Sequence, residues 1–512
     1  MKNISIILLL FAISTFTFCK DNEDAIDLSE NLSDNSKIEP IHSLEAETSK
    51  NPNQIYLRWH NPDDKFLSTV EISYQIKGTD QISDTICIKA IPRSITLYTL
   101  NLPQYATYII NIVAVNQREI RSTATAIEVT PIKPEEIPEI EVADFLSIAD
   151  TLMTSMLDNF LGGPRDVWRS FPNPTGPYWD GDALAWGQGA GFSAFAAIRE
   201  ASSNNELYKE KYSILDTRML NSINKFKVVD SRNGMAGYSV YPADWNDRFF
   251  DDNVWIGLDM IDLYFLTQNQ AYYDNAKVVW NLIMTGTDTD GGVFWQELPV
   301  KSTTKHACST APSSVLASKM YMATHETQYL DYAEKMYRFC IDKLQDKNDF
   351  LIQDHYRTDG TVQDWKFTYN SGQTIMAGVL LYNLTKEEHY LSEAQQIAEA
   401  MYKNWFTTFH SLVFNKDIGY INSDHTWFNA IALRGLIELY KVDGDRKYIT
   451  AYEEMLSHAW MSPCRNKTYN ILNYDSFKGE VTQTAWDILH VGATVEMFAR
   501  LASLKSSEGV FN

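Results

Sequence analysis

Residues 266–273 read LTQNQAYY, and joints of the same kind return as THETQYL at 324–330, LTKEEHYL at 384–391 and VDGDRKYI at 442–449. In each, a polar turn closes one apolar-periodic stretch and a tyrosine opens the next, the pattern of two helices folded back on each other. Working outward from these corners, helices are predicted over 143–160, 183–201, 205–225, 251–267, 270–286, 309–325, 327–345, 370–384, 387–404, 424–441, 445–460 and 481–503. Twelve helices in six pairs, linked by longer loops rich in Gly, Trp and Asp, predict an all-α (α/α)6 barrel with two rings and the long loops at one mouth. The alternative is an open superhelix of helical repeats. The joints recur at irregular intervals of roughly 55–60 residues, which favours the closed barrel.

The chain before residue 131 has another texture. Short β-rich runs at 55–59 (IYLRW), 70–76 (VEISYQI), 85–88, 94–100 and 108–115 (YIINIVAV) are separated by turn residues, the pattern of a small β-sandwich over 38–131. Trp59 and the run LNLPQYATYIINIVAVN at 100–116 resemble a fibronectin type III domain; the resemblance implies that Tyr108 is a corner tyrosine and that the module is mainly a spacer. Residues 132–141 are a stiff, charged linker, and 142–512 make up the helical domain, so the chain is multidomain.

At the start, Lys2 is followed by the apolar stretch Ile4–Phe18 and by Cys19. The stretch is short for a membrane span and reads as a targeting segment. TFTFC at 15–19 resembles a lipobox, with Phe18 departing from the small residue usual before the cysteine. KDNED at 20–24 resembles the acidic export signal of Bacteroidetes-type lipoproteins. Together these imply a signal peptide over 1–18, a lipid on Cys19, a flexible tether over 19–37, and a place on the outer membrane, facing the cell surface. A periplasm-facing lipoprotein and an ordinary cleaved secretory signal are the alternatives.

A net charge of -22 argues against nucleic-acid partners and favours a neutral substrate. The 13 Trp and 28 Tyr exceed what a core of this size requires and suit stacking on sugar faces. There is no HExxH, GxSxG or P-loop pattern, and the ten histidines are scattered without zinc spacing, so no metal or cofactor is expected. Cys87, Cys308, Cys340 and Cys464 lack CxxC spacing and read as small buried hydrophobes, with one bridge among the last three as an alternative.

The chemistry concentrates at 249–255, FFDDNVW. Retaining glycoside cleavage uses two carboxyl groups about 5–5.5 Å apart. Asp251 and Asp252, where a loop enters an apolar helix, are candidates for that pair. One aspartate there could be only a helix N-cap. A second beside it adds a like charge, which raises the pKa of one member and equips the pair for acid and nucleophile roles. Val254, Leu258, Ile261 and Phe265 would face the core, and Trp255 would wall a sugar site.

Three further loops supply candidates. In TGTDTDGGVFWQ (285–296), Gly291 and Gly292 allow close backbone approach and Trp295 offers a stacking face; Asp288, Asp290, Gly291 and Glu297 also match part of a calcium loop, though Gly286 stands where its first carboxylate belongs. In DWKFTYNSGQ (364–373), Tyr369 and Asn370 head an apolar helix, with Asn370 or Ser371 as its cap or as sugar ligands. In PYWDGDALAWGQGAGF (177–192), Trp179, Asp182, Trp186 and Gln188 are candidate binding residues, and Gly187, Gly189 and Gly191 read as close helix packing. The 415–427 loop adds Asp424, His425 and Trp427.

DDNVW at 251–255, GGVFW at 291–295, KHACSTAP at 305–312 and FTYNSGQTI at 367–375 resemble glycoside hydrolase family 76, the α-1,6-mannanases, over residues 143–503. The resemblance implies an (α/α)6 barrel and metal-free retaining hydrolysis of α-1,6-mannan, with an endo habit and a monomer expected. It makes Asp251 the nucleophile and Asp252 the general acid/base; residue chemistry alone does not order the two. Trp255, Trp295, Tyr369, Asn370, Asp182 and Trp186 would line the mannan cleft. The YWDGDALAWGQG and CSTAP segments depart from the commoner family versions and leave the subsites open. The rivals are a non-catalytic SusD-like glycan-binding lipoprotein and a glycan transglycosylase using the same pair.

Overall fold

The computed structural model describes residues 37–48, 53–79, 81–131, 144–171, 181–231, 233–242, 247–297, 303–422, 425–472, 477–478 and 487–508. The targeting segment, Cys19, the 132–141 linker, Trp179 and Asp424 lie outside the described residues. The chain forms two compact units that divide after Lys133.

The N-terminal unit has seven described strands: β1 (His42–Thr48), β2 (Gln54–His60), β3 (Leu67–Ile76), β4 (Ile86–Lys89), β5 (Ile95–Asn101), β6 (Tyr108–Asn116) and β7 (Thr125–Val129). They form sheets of order β1-β2-β5 and β4-β3-β6-β7. Strand alternation buries Tyr108, Ile110, Ile112 and Ala114 on one face of β6, while Trp59 is fully buried on β2. The Tyr108 hydroxyl donates to the Gln104 carbonyl at 2.9 Å, the local bond of a tyrosine corner. β1 and β7 escape sequence reading because β1 (HSLEAET) is polar and largely exposed and β7 spans only five residues. Cys87, expected to be buried, is exposed.

The second unit holds thirteen described α-helices: α1 (Phe145–Phe160), α2 (Ala185–Ala201), α3 (Glu206–Ser213), α4 (Asp216–Ile223), α5 (Phe250–Thr267), α6 (Gln270–Gly286), α7 (Ala307–Thr324), α8 (Thr327–Phe339), α9 (Thr368–Thr385), α10 (Glu388–Trp405), α11 (Thr426–Asp443), α12 (Lys447–Met461) and α13 (Ile488–Glu508). Helices α2, α5, α7, α9, α11 and α13 touch in that order, and α13 returns to α2, so they close an inner ring. The others pack outside it: α3 and α4 on α2, α6 on α5, α8 on α7, α10 on α9, α12 on α11 and α1 on α13. Ring closure excludes the open superhelix. The helix expected over 205–225 is two short ones, broken at Ile214 and Leu215, and that expected over 327–345 turns into a π-helical segment at Cys340–Leu344.

The four joints share one backbone device. Gln268, His325, Lys386 and Gly444 have φ of 57°, 60°, 63° and 72° and cap α5, α7, α9 and α11 in the left-handed region. Each donates its N–H to a tyrosine carbonyl one turn back, on Tyr264, Tyr321, Tyr382 and Tyr440. The tyrosine that opens each following helix (Tyr272, Tyr329, Tyr390 and Tyr448) is buried and meets the preceding outer helix, at Asp216, Trp280, Tyr337 and Tyr402 in turn.

The rings bury different patterns. Outer α10 buries Tyr390, Ala394, Ile397, Ala398 and Met401, a single stripe. Inner α5 is buried on all sides from Asn253 to Ile261, not on one face; Phe265, expected in the core, is partly exposed.

Candidate active site

Each inner helix begins at the same mouth. The loop before α5 is held by Arg248, fully buried, which pairs with Glu297 at 2.5 Å and donates to the Met235 carbonyl at 2.7 Å. Asn253 completes the anchor: its amide nitrogen donates to the carbonyls of Tyr238 and Phe249, both at 2.8 Å, and its oxygen accepts from the Tyr238 N–H at 2.7 Å. The N-cap of α5 is Phe249, whose side chain cannot cap, so neither aspartate is the simple N-cap of the alternative reading. Asp251 and Asp252 occupy the first turn, where the positive end of the helix dipole favours carboxylates.

The two carboxyls have unequal surroundings. Asp251 Oδ2 accepts the indole N–H of Trp295 at 2.9 Å and the thiol of Cys308 at 3.5 Å, and Oδ1 accepts the Asp252 N–H at 3.0 Å. Burial raises Asp251 to a pKa of about 6, against the pull of those three donors. Asp252 is raised well above the usual carboxylate range, first by burial, then by the charges of Asp251 and Asp247. Among the described residues none donates a hydrogen bond to the Asp252 carboxyl.

Aromatic rings surround the pair. Trp255 meets Trp427 edge-on with centroids 5.3 Å apart, Trp186 meets Trp427 at 5.4 Å and stacks on His425 at 5.7 Å, and Tyr369 stacks on Phe428 at 4.3 Å. The structure thus brings Asp251, Asp252, Trp255, Trp295, Tyr369, Trp186, His425 and Trp427 to one mouth. Trp255 and Tyr369 are 4% and 9% exposed, so Trp255 forms the floor rather than the open wall expected of it. Trp295, at 38%, is the accessible ring. Asn370 is fully buried in the first turn of α9 with no protein partner for either amide atom, a group that water or ligand must complete. The cap of α9 is Phe367, not Asn370 or Ser371; the Ser371 hydroxyl accepts from the Ile352 N–H at 3.2 Å.

Asp182 lies three residues ahead of α2, and its carboxylate is taken up by a neighbouring cation. It pairs with Arg165 at 2.7 Å and bridges to the Arg169 backbone. Gln188 is buried and bonds to the backbone of Trp168 and Ala183. A Cβ on Gly187 or Gly191 would lie 2.8 Å from Ala183 or 2.5 Å from Trp168, as the close-packing reading requires; at Gly189 there is room. Asp288 and Asp290 of the calcium-like loop bind Lys305 at 2.8 and 2.7 Å, and Glu297 serves Arg248. Gly291 (φ 93°) is needed where it stands: a Cβ would lie 2.6 Å from the Lys335 carbonyl oxygen.

Sequence reading missed three contributors. Cys308, taken for a packing residue, is a free thiol on Asp251, and burial together with the Asp251 charge pushes its pKa well up. His306 and His355, read as scattered, form a cross-strand pair with rings stacked 4.5 Å apart at 18°. Asp354 Oδ2 lies 2.8 Å from His355 Nδ1 and 3.8 Å from His306 Nδ1. These three bring their ligand atoms within 4.8 Å, the one such cluster among the described residues. The rings lie nearly parallel, and Asp354 hydrogen-bonds to His355 while His306 Nε2 meets Thr304 Oγ1 at 3.0 Å. The available signal was position: His306 and Cys308 open α7 as the aspartates open α5.

A sequence profile described as "Glycosyl hydrolase family 76" matches residues 145–507. A family 76 mannosidase from Bacteroides thetaiotaomicron VPI-5482 is 44% identical, with a TM-score of 0.68 over 71% of this chain and 100% of its own. A family 76 glycoside hydrolase from a bovine strain of that species is 34% identical, with a TM-score of 0.68 over 91% of this chain and 99% of its own, so that likeness extends into the N-terminal unit. An inactive variant of an α-1,6-mannanase from Salegentibacter, in complex with α-1,6-mannotetrose, is 20% identical over 71% of this chain and 100% of its own, with a TM-score of 0.54. No curated protein matches the chain. The residues matched by the profile span the whole inner ring and the aspartate-bearing mouth, and the chain belongs to glycoside hydrolase family 76.

Proposed function

We propose that the chain is a retaining endo-α-1,6-mannanase in which Asp251 is the nucleophile and Asp252 the general acid/base. The observation that carries the assignment is the asymmetry between the carboxyls. Asp251 accepts three hydrogen bonds, which favour its ionised form, whereas burial and neighbouring charge keep Asp252 protonated. The Asp251 carboxylate attacks the anomeric carbon as the Asp252 proton moves to the departing glycosidic oxygen. Asp252, now ionised, takes a proton from water, whose oxygen displaces the Asp251 ester and releases the sugar. Trp295 offers its exposed face to a mannose ring, and Trp186, Trp427 and Tyr369 line the floor. Asn370, whose amide atoms are buried without a protein partner, is left to bind ligand or water, and the Asp182 carboxylate is held by Arg165.

Relatives in the family include proteins named as mannosidase and α-1,6-mannanase, which supports mannan as the substrate class. Family membership favours hydrolysis over a purely binding, SusD-like role. The test is incubation of wild type, Asp251→Asn and Asp252→Asn with debranched α-1,6-mannan. Oligosaccharides are expected from wild type, and each variant should lose at least about 10³-fold in kcat/KM, or ~4 kcal/mol. Undiminished cleavage by either variant would sink the two-carboxylate assignment.

The N-terminal unit, with its three- and four-stranded sheets and the Tyr108 corner, fits a fibronectin type III-like spacer. Cys19 fits a lipid anchor to the outer membrane, facing the cell surface. Metabolic labelling with a fatty-acid probe should mark the wild type; equal labelling of Cys19→Ala would refute the anchor.

A further inference from the structure

The strand Thr304–His306 lies between the Trp295 loop and the strand Gln353–Arg357. On one side the Trp295 N–H donates to the Thr304 carbonyl at 3.2 Å; on the other His306 is directly opposite His355. Three rings therefore follow one another: Trp295 over His306 at 5.3 Å and 21°, then His306 over His355 at 4.5 Å and 18°. Asp354 fixes the last ring, and Thr304 Oγ1 sits 3.0 Å from His306 Nε2. Phe249 also meets Trp295 edge-on, at 4.8 Å and 64°.

Trp295 is 38% exposed, so packing alone does not lock its indole. Yet that indole carries the shortest hydrogen bond to Asp251. We propose that His306 is a positioning residue: stacked between Trp295 and His355, it holds the indole so that its N–H stays on Asp251 Oδ2 and keeps that carboxyl, rather than Asp252, the ionised member of the pair. The proposal rests on the nucleophile assignment above. His306 is suited to the task because burial, helped by His355 and Arg357, lowers its pKa to about 3, so it stacks as a neutral ring across the working range. The other titratable groups facing Asp251 are Asp252 on the same helix, itself acted on by Asp247, Cys308 on α7, Tyr369 on α9 and, through Cys308 and Tyr369, Asp354. Of these, the Cys308 thiol also donates to Asp251 Oδ2, at 3.5 Å against 2.9 Å for the indole.

The experiment is the pH profile of kcat/KM on α-1,6-mannan, with Tm recorded for every variant. Losing a hydrogen bond to a charged carboxylate raises its pKa by about one unit. His306→Ala and Trp295→Phe should each move the acid limb up by about that much, which is roughly tenfold less activity at a pH below the limb. His306→Phe keeps a stacking face and should restore the limb. Adding His306→Ala to Trp295→Phe should move it no further, because the bond it supports is already gone. A fall in kcat or Tm for His306→Ala with an unmoved acid limb would make His306 merely structural and overturn the proposal. A full shift in His306→Phe would overturn it too, and that variant decides the matter if His306→Ala does not fold. A wild type without an acid limb, or active Asp251→Asn, removes the nucleophile assignment and the proposal with it, a pattern recognisable without any His306 variant.

Discussion

The two mouths of the helical ring are built from the same six helices and are opposite in chemistry. At one, the helices start: Asp251, Asp252, Cys308, Tyr369 and Trp427 lie in or next to first turns. At the other, they end around a cavity of about 350 Å³ lined by Lys319, Arg434, Lys441 and Arg500 among others. Parallel helices add their dipoles, so the first mouth favours carboxylates and the second favours cations. The second mouth neutralises its charges. Arg434 pairs with Glu496 at 2.6 Å and Asp259 at 3.2 Å, Arg500 with Glu496 at 2.6 Å, and Lys319 with Asp262 at 2.6 Å. Among the described residues, the first leaves two neighbouring carboxyls without a cation. A buried charge with its partner contributes to a fixed structure, and a buried carboxyl without one carries a raised pKa that chemistry can use.

Substitutions at the two mouths should have opposite consequences. Asp251→Asn should abolish cleavage and keep the fold, whereas Arg434→Met should do the reverse. Removing Arg434 leaves Asp259 and Glu496 facing each other and should cost about 3–5 kcal/mol of stability with kcat/KM near that of the wild type. Because burial raises Asp259 to about 6, that loss should be smaller at pH 5, where Asp259 is protonated and needs no guanidinium, than at pH 8. Denaturant titration at the two pH values checks the sign; an equal loss at both would contradict it.

A subtler measurement sharpens the catalytic side. With Asp251 at about 6 and Asp252 raised further, kcat/KM should rise through pH 6 as the nucleophile ionises and fall at higher pH as the acid loses its proton. The two limbs belong to the pair as a unit. A profile that stays flat from pH 4 to 8 would contradict the raised values.

Much of this was readable from the chain. The joints were visible because a turn, a tyrosine and a fresh apolar period are local features. The aspartate pair was visible because its partner is its neighbour in sequence. The inner helices were harder. Buried on every side, α7 and α9 carry Ser309, Ser313, Asn370 and Gln373 inward, so a one-faced pattern misjudges them; α5, buried likewise from Asn253 to Ile261, leaves Trp255 looking like an open wall. The break at Ile214 and Leu215 was hidden because apolar residues continue across it.

The two units, the six helix pairs and the doublet Asp251–Asp252 follow from local pattern, since periodicity and adjacency act within a few residues. Only the tertiary structure decided which carboxyl is served by hydrogen bonds. Trp295 and Cys308 reach Asp251 across separations of 44 and 57 residues, and His306 meets His355 only as a cross-strand pair. Hydrogen bonds and ring contacts depend on separation in space, which the ring closure sets and no local pattern encodes.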